Sequence, residues 1–329
     1  MASPRSVYEL LQQGAGSDPA IGAPGRGDLS YAGLRDLVEA TGRALAGAGI
    51  GPGDRVGIVL ANGPAMATCF LAVAAHATAA PLNPGYRADE FDFYISDLKA
   101  KAVIVAAGED TPARAVAEKH GATVIDLTED DSGPAGSFML DVGGSLPDAA
   151  PPADPGDTAL VLHTSGTTSR PKIVPLSGAN LAASAGHIAA SLALKRTDRC
   201  LNIMPLFHIH GLIAAVLSSV AAGASVWCSP GFNALRFFGW MELAKPNWYT
   251  AVPTMHQAIL SRAGRNAELI AAQPLRLIRS SSSSLPPQVM AELEETFGCP
   301  VIESYGMTEA AHQMASNPLP PAARKPGSV

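Results

Sequence analysis

The sequence is poor in charge, in aromatic rings and in cysteine. Asp, Glu, Lys and Arg supply 16% of its 329 residues and Phe, Trp and Tyr only 5%, against 47% hydrophobic residues overall. So little charge argues against wholesale disorder and leaves ample material for a buried core. The net charge of −6 lacks the basic excess of a general nucleic-acid binder. Cys69, Cys200, Cys228 and Cys299 form no CxxC pair and no His/Cys spacing suited to zinc. They read as buried thiols of a reducing compartment. No apolar signal core follows Met1-Ala2-Ser3-Pro4-Arg5, and the expected location is cytoplasmic.

Uninterrupted apolar runs of membrane length are also missing. Residues 64–80 are broken by His76 and threonines, and residues 208–227 by His210, Ser218, Ser219 and Gly223. A spanning helix needs about 20 apolar residues with few breaks. Each stretch reads instead as a buried helix followed by a strand.

What is present is alternation. Leu34, Leu37, Val38, Thr41 and Leu45 share one helical face, which Gly49 and Gly51 close. Apolar runs of strand length lie at 56–60, 102–105, 123–125, 159–162, 201–204, 225–227, 248–252, 275–278 and 301–302. Helical patterns occupy about 64–75, 88–98, 112–120, 180–194, 211–222, 234–244, a stretch after Pro253, and 287–297. Strands apolar on both faces, alternating with helices, predict an α/β fold of two doubly wound, mostly parallel sheets covered on both sides. The length suits two α/β subdomains. The Gly, Pro, Ser and Asp of residues 131–157 suggest a linker, giving 1–157 and 158–329, the latter carrying the nucleotide motifs.

One loop organises the second half: Thr164-Ser165-Gly166-Thr167-Thr168-Ser169-Arg170-Pro171-Lys172. It follows a strand and packs hydroxyls, a glycine and two cations together, as phosphate cradles do. It is not a Walker loop, because no glycine precedes Lys172 and the second glycine is missing. The same composition suits an ordinary solvated loop, so the loop alone leaves both readings open. Three more polar groups fall at carboxyl ends of predicted strands, where open α/β sheets collect their sites. They are Pro205-Leu206-Phe207-His208-Ile209-His210-Gly211, Ser280 to Ser284, and Glu303-Ser304-Tyr305-Gly306-Met307-Thr308-Glu309.

With these motifs, the chain from about Leu29 onward resembles the amino-terminal domain of an acyl-CoA synthetase of the adenylate-forming superfamily. That superfamily also holds luciferases and peptide-synthetase adenylation domains. Within it the chain is most similar to oxalate–CoA ligases, through residues 162–172, Phe207-His208-Ile209-His210-Gly211 and residues 305–320. The resemblance implies that Thr164, Ser165, Gly166, Thr167, Thr168 and Lys172 hold the β- and γ-phosphates of ATP. Tyr305 would stack on adenine, with Glu303, Ser304 and the backbone of Ser282, Ser283 and Ser284 lining its slot. Thr308 would bond the α-phosphate, and Glu309 would ligate Mg²⁺. Bland readings stand beside these: Tyr305 as a core aromatic, Glu309 as a surface acid.

Substrate choice falls to histidines. A fatty-acid pocket needs an apolar tunnel, whereas a small dicarboxylate needs donors for a second anion. His208, His210, Ser282 and His312 could supply them, His312 being brought in by one helical turn after Glu309. His163, His187 and His256 read as structural. The implied reaction joins a small carboxylic acid, ATP and coenzyme A through an acyl-adenylate, with Lys172, Thr308, Glu309 and His208 closest to the chemistry. Alternatives are a short- or medium-chain fatty acyl-CoA synthetase, or a nucleotide-binding fragment without turnover.

Two departures from the family pattern stand out. Ile173 occupies a position usually held by glycine, which stiffens the loop exit. The family's chains continue past the equivalent of Val329 with a ribose-binding aspartate, a hinge and a smaller domain carrying a catalytic lysine. The 329 residues are therefore expected to bind ATP with little or no turnover. Their oligomeric state is open.

Overall fold

Runs that are apolar on both faces pair in parallel wherever a sheet has two covered sides, and that rule sets the topology of the computed structural model. It describes residues 3–164 and 171–328. One sheet has the spatial order His312–Ser316, Val301–Met307, Leu277–Ser280, Trp248–Ala251, Arg199–Asn202, Ser225–Cys228, Pro19–Ala23 and Arg26–Ser30. The other runs Phe138–Asp141, Thr123–Glu129, Ala102–Ala106, Arg55–Val59, Thr78–Pro81, Thr158–Thr164 and Lys172–Ser177. Every interior pairing is parallel, and all four terminal pairings are antiparallel. The expected doubly wound α/β architecture is present, with mixed edges.

The sheets do not divide the chain at residue 157. Pro19–Ala23 and Arg26–Ser30 join the sheet of the second half, while Thr158–Thr164 and Lys172–Ser177 join that of the first. Between the sheets lies the helix Pro64–His76. Of its 13 residues, 12 are buried, and it packs on strands of both sheets. A helix that is apolar all round belongs in a core, which answers the membrane question for this stretch. Among the described residues no helix is long and apolar enough to span a bilayer. The four cysteines are free and buried.

The stretch expected as a linker is mostly exposed but tied down. Phe138–Asp141 pairs with Thr123–Glu129, the Ala135 N–H donates to the Gly27 carbonyl, and the Ala153 N–H to that of Ala75.

The phosphate-loop region differs most from expectation. Thr158–Thr164 pairs antiparallel with Lys172–Ser177, a strand the sequence did not announce, Thr164 lying opposite Lys172. Residues 165–170, with Ser165, Gly166, Thr167 and Thr168, lie outside the described residues. Ile173 is a strand residue opposite His163, half-buried against the core of Val59, Phe91, Ile95 and Val161. A β-branched side chain suits that place better than glycine. Ser177 then caps the helix Gly178–Ser191 through the Asn180 N–H.

Candidate active site

The site is assembled on three neighbouring strand ends. Thr250 and Arg279 are register partners in parallel strands, so both side chains leave the sheet on one face. Arg279 is 0% exposed. One Nη donates to Thr250 Oγ1 at 3.3 Å and lies 3.4 Å from His210 Nε2. The other donates to His312 Nε2 at 3.2 Å and Gln313 Oε1 at 3.1 Å. No carboxylate pairs with it among the described residues. Burial lowers its pKa to about 9, which still leaves the guanidinium charged at neutral pH. A buried cation without a counter-anion is costly to hold, and this one sits directly beneath two imidazoles.

His210 opens the helix His210–Leu217, whose turns are π-helical and whose eight residues are all buried. Wide turns of this kind recur at functional sites. His210 Nε2 lies 2.6 Å from Thr250 Oγ1 and its Nδ1 2.9 Å from Ser282 Oγ. Its ring centroid is 5.0 Å from that of His312. Burial, reinforced by positive neighbours, pushes both imidazole pKa values well below the ordinary range.

Two of the residues facing this corner are held in left-handed backbone: Ser282 at φ 71° and His312 at φ 94°. Non-glycine residues rarely adopt that region, and such strain persists only where surroundings over-determine it. For His312 the surroundings are visible. Ser184 Oγ donates to the Ala311 carbonyl at 2.5 Å, and the hairpin with Val301–Met307 is so tight that a Cβ on Gly306 would lie 1.7 Å from the His312 oxygen. Gly211 is constrained likewise, since a Cβ there would lie 2.5 Å from the Pro205 oxygen.

Of these groups, His210, Ser282 and His312 line a cleft of about 350 Å³, together with His163, Phe207, His208 and Thr308 among others. The structure therefore brings together all four residues expected to choose the substrate. His208 is exposed at the mouth, with its pKa lowered by partial burial. His312 arrives by a hairpin rather than a helical turn: Thr308–Ala310 is a single 3₁₀ turn, and a strand begins at His312.

On the nucleotide side, Tyr305 is 52% exposed, so it is no core aromatic. Ser283 and Ser284 are exposed in the segment that follows the strand Leu277–Ser280. Thr164 is half-buried and Lys172 exposed, and the strand begun by Lys172 lies against the Thr308–Ala310 turn. Glu309 is exposed and borders a second cleft with Asn180 and His187.

Three expectations need correction. Glu303 is 2% exposed, and its carboxylate accepts from Asn317 Nδ2 and the Gly327 N–H. It secures the stretch after Asn317, not an adenine slot. Ser304 is likewise buried, its carbonyl accepting from Ser281 Oγ, so its side chain does not line a slot either. His187 is exposed at the second cleft, not structural in a core; His256 is buried against Tyr249.

Arg279 escaped the reading of the sequence. The strand was expected to stop at Ile278, but it runs Leu277–Ser280. A charge directly after an apolar run, inside a sheet covered on both faces, was the available signal.

With this geometry in hand, the comparisons with known proteins are informative. The family described as AMP-binding enzyme matches residues 12–329. The chain is 44% identical to the oxalate–CoA ligase of Arabidopsis thaliana over 317 residues, covering 94% of this chain and 62% of that protein. It is 38% identical to the oxalate–CoA ligase of Saccharomyces cerevisiae, covering 84% and 54%. Among solved structures it superposes on apo MatB from Rhodopseudomonas palustris with a TM-score of 0.83 at 27% identity, over 99% of this chain and 64% of that one. ATP-bound MatB matches with a TM-score of 0.81 at 28% identity, over 99% and 64%. The chain thus spans less than two thirds of the length of these relatives.

Proposed function

Since the chain belongs to the AMP-binding enzyme family, we propose that it forms the nucleotide- and acid-binding part of an ATP-dependent acid–CoA ligase, with oxalate as the acid. The observation that carries the choice of acid is the buried Arg279, without a carboxylate partner among the described residues, bonded to His210 and His312 behind a small cleft that Ser282 also lines. A polar, cation-backed end wall suits a second carboxylate and opposes an alkyl tail. The similarity to oxalate–CoA ligases of two organisms points the same way.

In the proposed reaction one carboxylate oxygen attacks the α-phosphorus of ATP, the bond to the β-phosphate breaks, and pyrophosphate leaves. The thiolate of coenzyme A then attacks the acyl carbon and AMP departs. Tyr305 offers an open aromatic face to the adenine. Thr308, which lines the same cleft as the acid-binding corner, bonds the α-phosphate, and Lys172 with Thr164, Ser165, Gly166, Thr167 and Thr168 receives the β- and γ-phosphates. Catalysis of this kind is mainly positioning and charge neutralisation.

Glu309 fits a Mg²⁺ ligand. Its carboxylate is exposed and has no hydrogen-bond or ion-pair partner among the described residues, which contain no cluster of three metal-ligating side chains. One carboxylate completed by phosphate oxygens is how Mg²⁺ is commonly held. When bound, the ion would offset phosphate charge.

Calorimetric titration tests the reading. With ATP and Mg²⁺ saturating, oxalate is expected to bind at least about tenfold more tightly than acetate, the margin of one charge-assisted hydrogen bond. Hexanoate binding more tightly than oxalate would overturn the choice of acid.

A further inference from the structure

We propose that Arg279 is a positioning residue that orients a one-way chain of proton donors, ending in two free donors on residues that line the cleft: the Ser282 hydroxyl and His312 Nδ1–H. The inference deepens the proposed function and rests on it for the identity of the acid.

A guanidinium has only donors. Each partner of Arg279 must therefore accept, and the direction of every later bond follows. The same Nη1 faces both Thr250 Oγ1 at 3.3 Å and His210 Nε2 at 3.4 Å, so Nε2 meets a group that can only donate, and the threonine hydroxyl, 2.6 Å from Nε2, turns its proton the same way. Nε2 is then an acceptor, so the neutral His210 ring carries its proton on Nδ1. That proton faces Ser282 Oγ at 2.9 Å, and the serine must aim its own proton elsewhere. On the other branch, His312 Nε2 accepts from Nη2 at 3.2 Å. The His312 proton is thereby placed on Nδ1, which has no protein partner among the described residues on a ring that lines the cleft.

Both terminal residues are the ones held in left-handed backbone. Strain at two donors that converge on one corner is what pre-organisation for a ligand requires. The burial that keeps the two imidazoles neutral completes the device. The wall turns these two donors toward the cleft, while its positive charge stays one ring behind them. A carboxylate is the complementary group. Unlike a direct Arg–carboxylate fork, this arrangement keeps the cation out of the cleft and distant from the reacting phosphate.

Nitrogen-15 NMR of the histidine side chains reads the proposal directly, because the two tautomers have distinct shifts. In the wild-type chain at pH 7, His210 and His312 are both expected as neutral Nδ1–H rings. Thr250→Val removes the relay to His210 while keeping the buried charge paired as before on the His312 side. It is expected to release His210 from the pure Nδ1–H form and to raise the oxalate Kd about tenfold, with the ATP Kd within about twofold. Arg279→Lys, which keeps the charge but loses the two-pronged geometry, should disturb both rings and weaken oxalate further.

An Nε2–H or doubly protonated ring in the wild type overturns the proposal without any variant. So does an unchanged His210 tautomer, or unchanged oxalate affinity, in folded Thr250→Val. If the wild type shows both Nδ1–H rings yet binds acetate as well as oxalate, the donor chain stands and the choice of oxalate falls.

Discussion

Three histidines are held neutral in the interior, and this sets how single residues respond to acid. The His256 pKa is pushed from the ordinary 6.5 to about 4, chiefly by burial; those of His210 and His312 move in the same direction. Between those values the unfolded chain binds protons that the folded chain refuses, so stability is full above pH 6.5 and falls as pH drops toward 4. At pH 5 the loss from His256 alone is roughly 2 kcal/mol. Urea midpoints measured at pH 7 and pH 5 should show this fall, and His256→Gln should reduce it; equal midpoints would contradict the neutral assignment. At the nucleotide side, Tyr305→Ala should raise the ATP Kd about tenfold or more by removing a stacking face, with oxalate affinity measured in saturating ATP nearly unchanged. That His208, His210, Ser282 and His312 would gather at one cleft was legible in the sequence, because polar groups at the carboxyl ends of such strands collect on one rim. Glu303 and Arg279 were misjudged because their roles depend on which way a strand residue faces, and two neighbouring strands decide that.

At the scale of elements, the hairpin of Val301–Met307 with His312–Ser316 is what delivers His312. Gly306→Ala would drive a Cβ into the His312 carbonyl at 1.7 Å, and backbone at that position cannot swing aside as a side chain would. A loss of about 3 kcal/mol or more is expected, read as a lower denaturation midpoint together with weakened oxalate binding in whatever fraction remains folded. Gly211→Ala should act similarly through the Pro205 carbonyl, at 2.5 Å. Interior strands and amphipathic helices were readable, since their apolar runs and periodicity are imposed by burial. The edge strands Lys172–Ser177 and His312–Ser316 were not. Neither is an apolar run, each being partly exposed along its length, and Pro175 would mark a break in an interior strand but is tolerated at an edge.

At the scale of the molecule, the two sheets share the helix Pro64–His76 and exchange strands across the middle of the chain. Unfolding should therefore be a single cooperative transition, with fluorescence and circular dichroism coinciding. Expressing 1–157 separately from 158–329 should give two species that bind hydrophobic dyes, because each lacks strands of its own sheet; a natively folded 1–157 would show that the sheets are separable. The α/β class was evident from alternation alone. Sheet membership was not, because nothing local in Pro19–Ala23 records that its partner is Ser225–Cys228.

That partnership has a consequence in time. On a ribosome the segment Pro19–Ala23 emerges about 200 residues before the strand it must join, which at usual synthesis rates is a wait on the order of 10–40 s. Arg26–Ser30 can pair with it meanwhile, as an antiparallel hairpin whose other edge stays open. Strands made early are thus enclosed late, and the nascent chain carries an unpaired edge while about 200 further residues are added, the interval in which a chaperone would matter most.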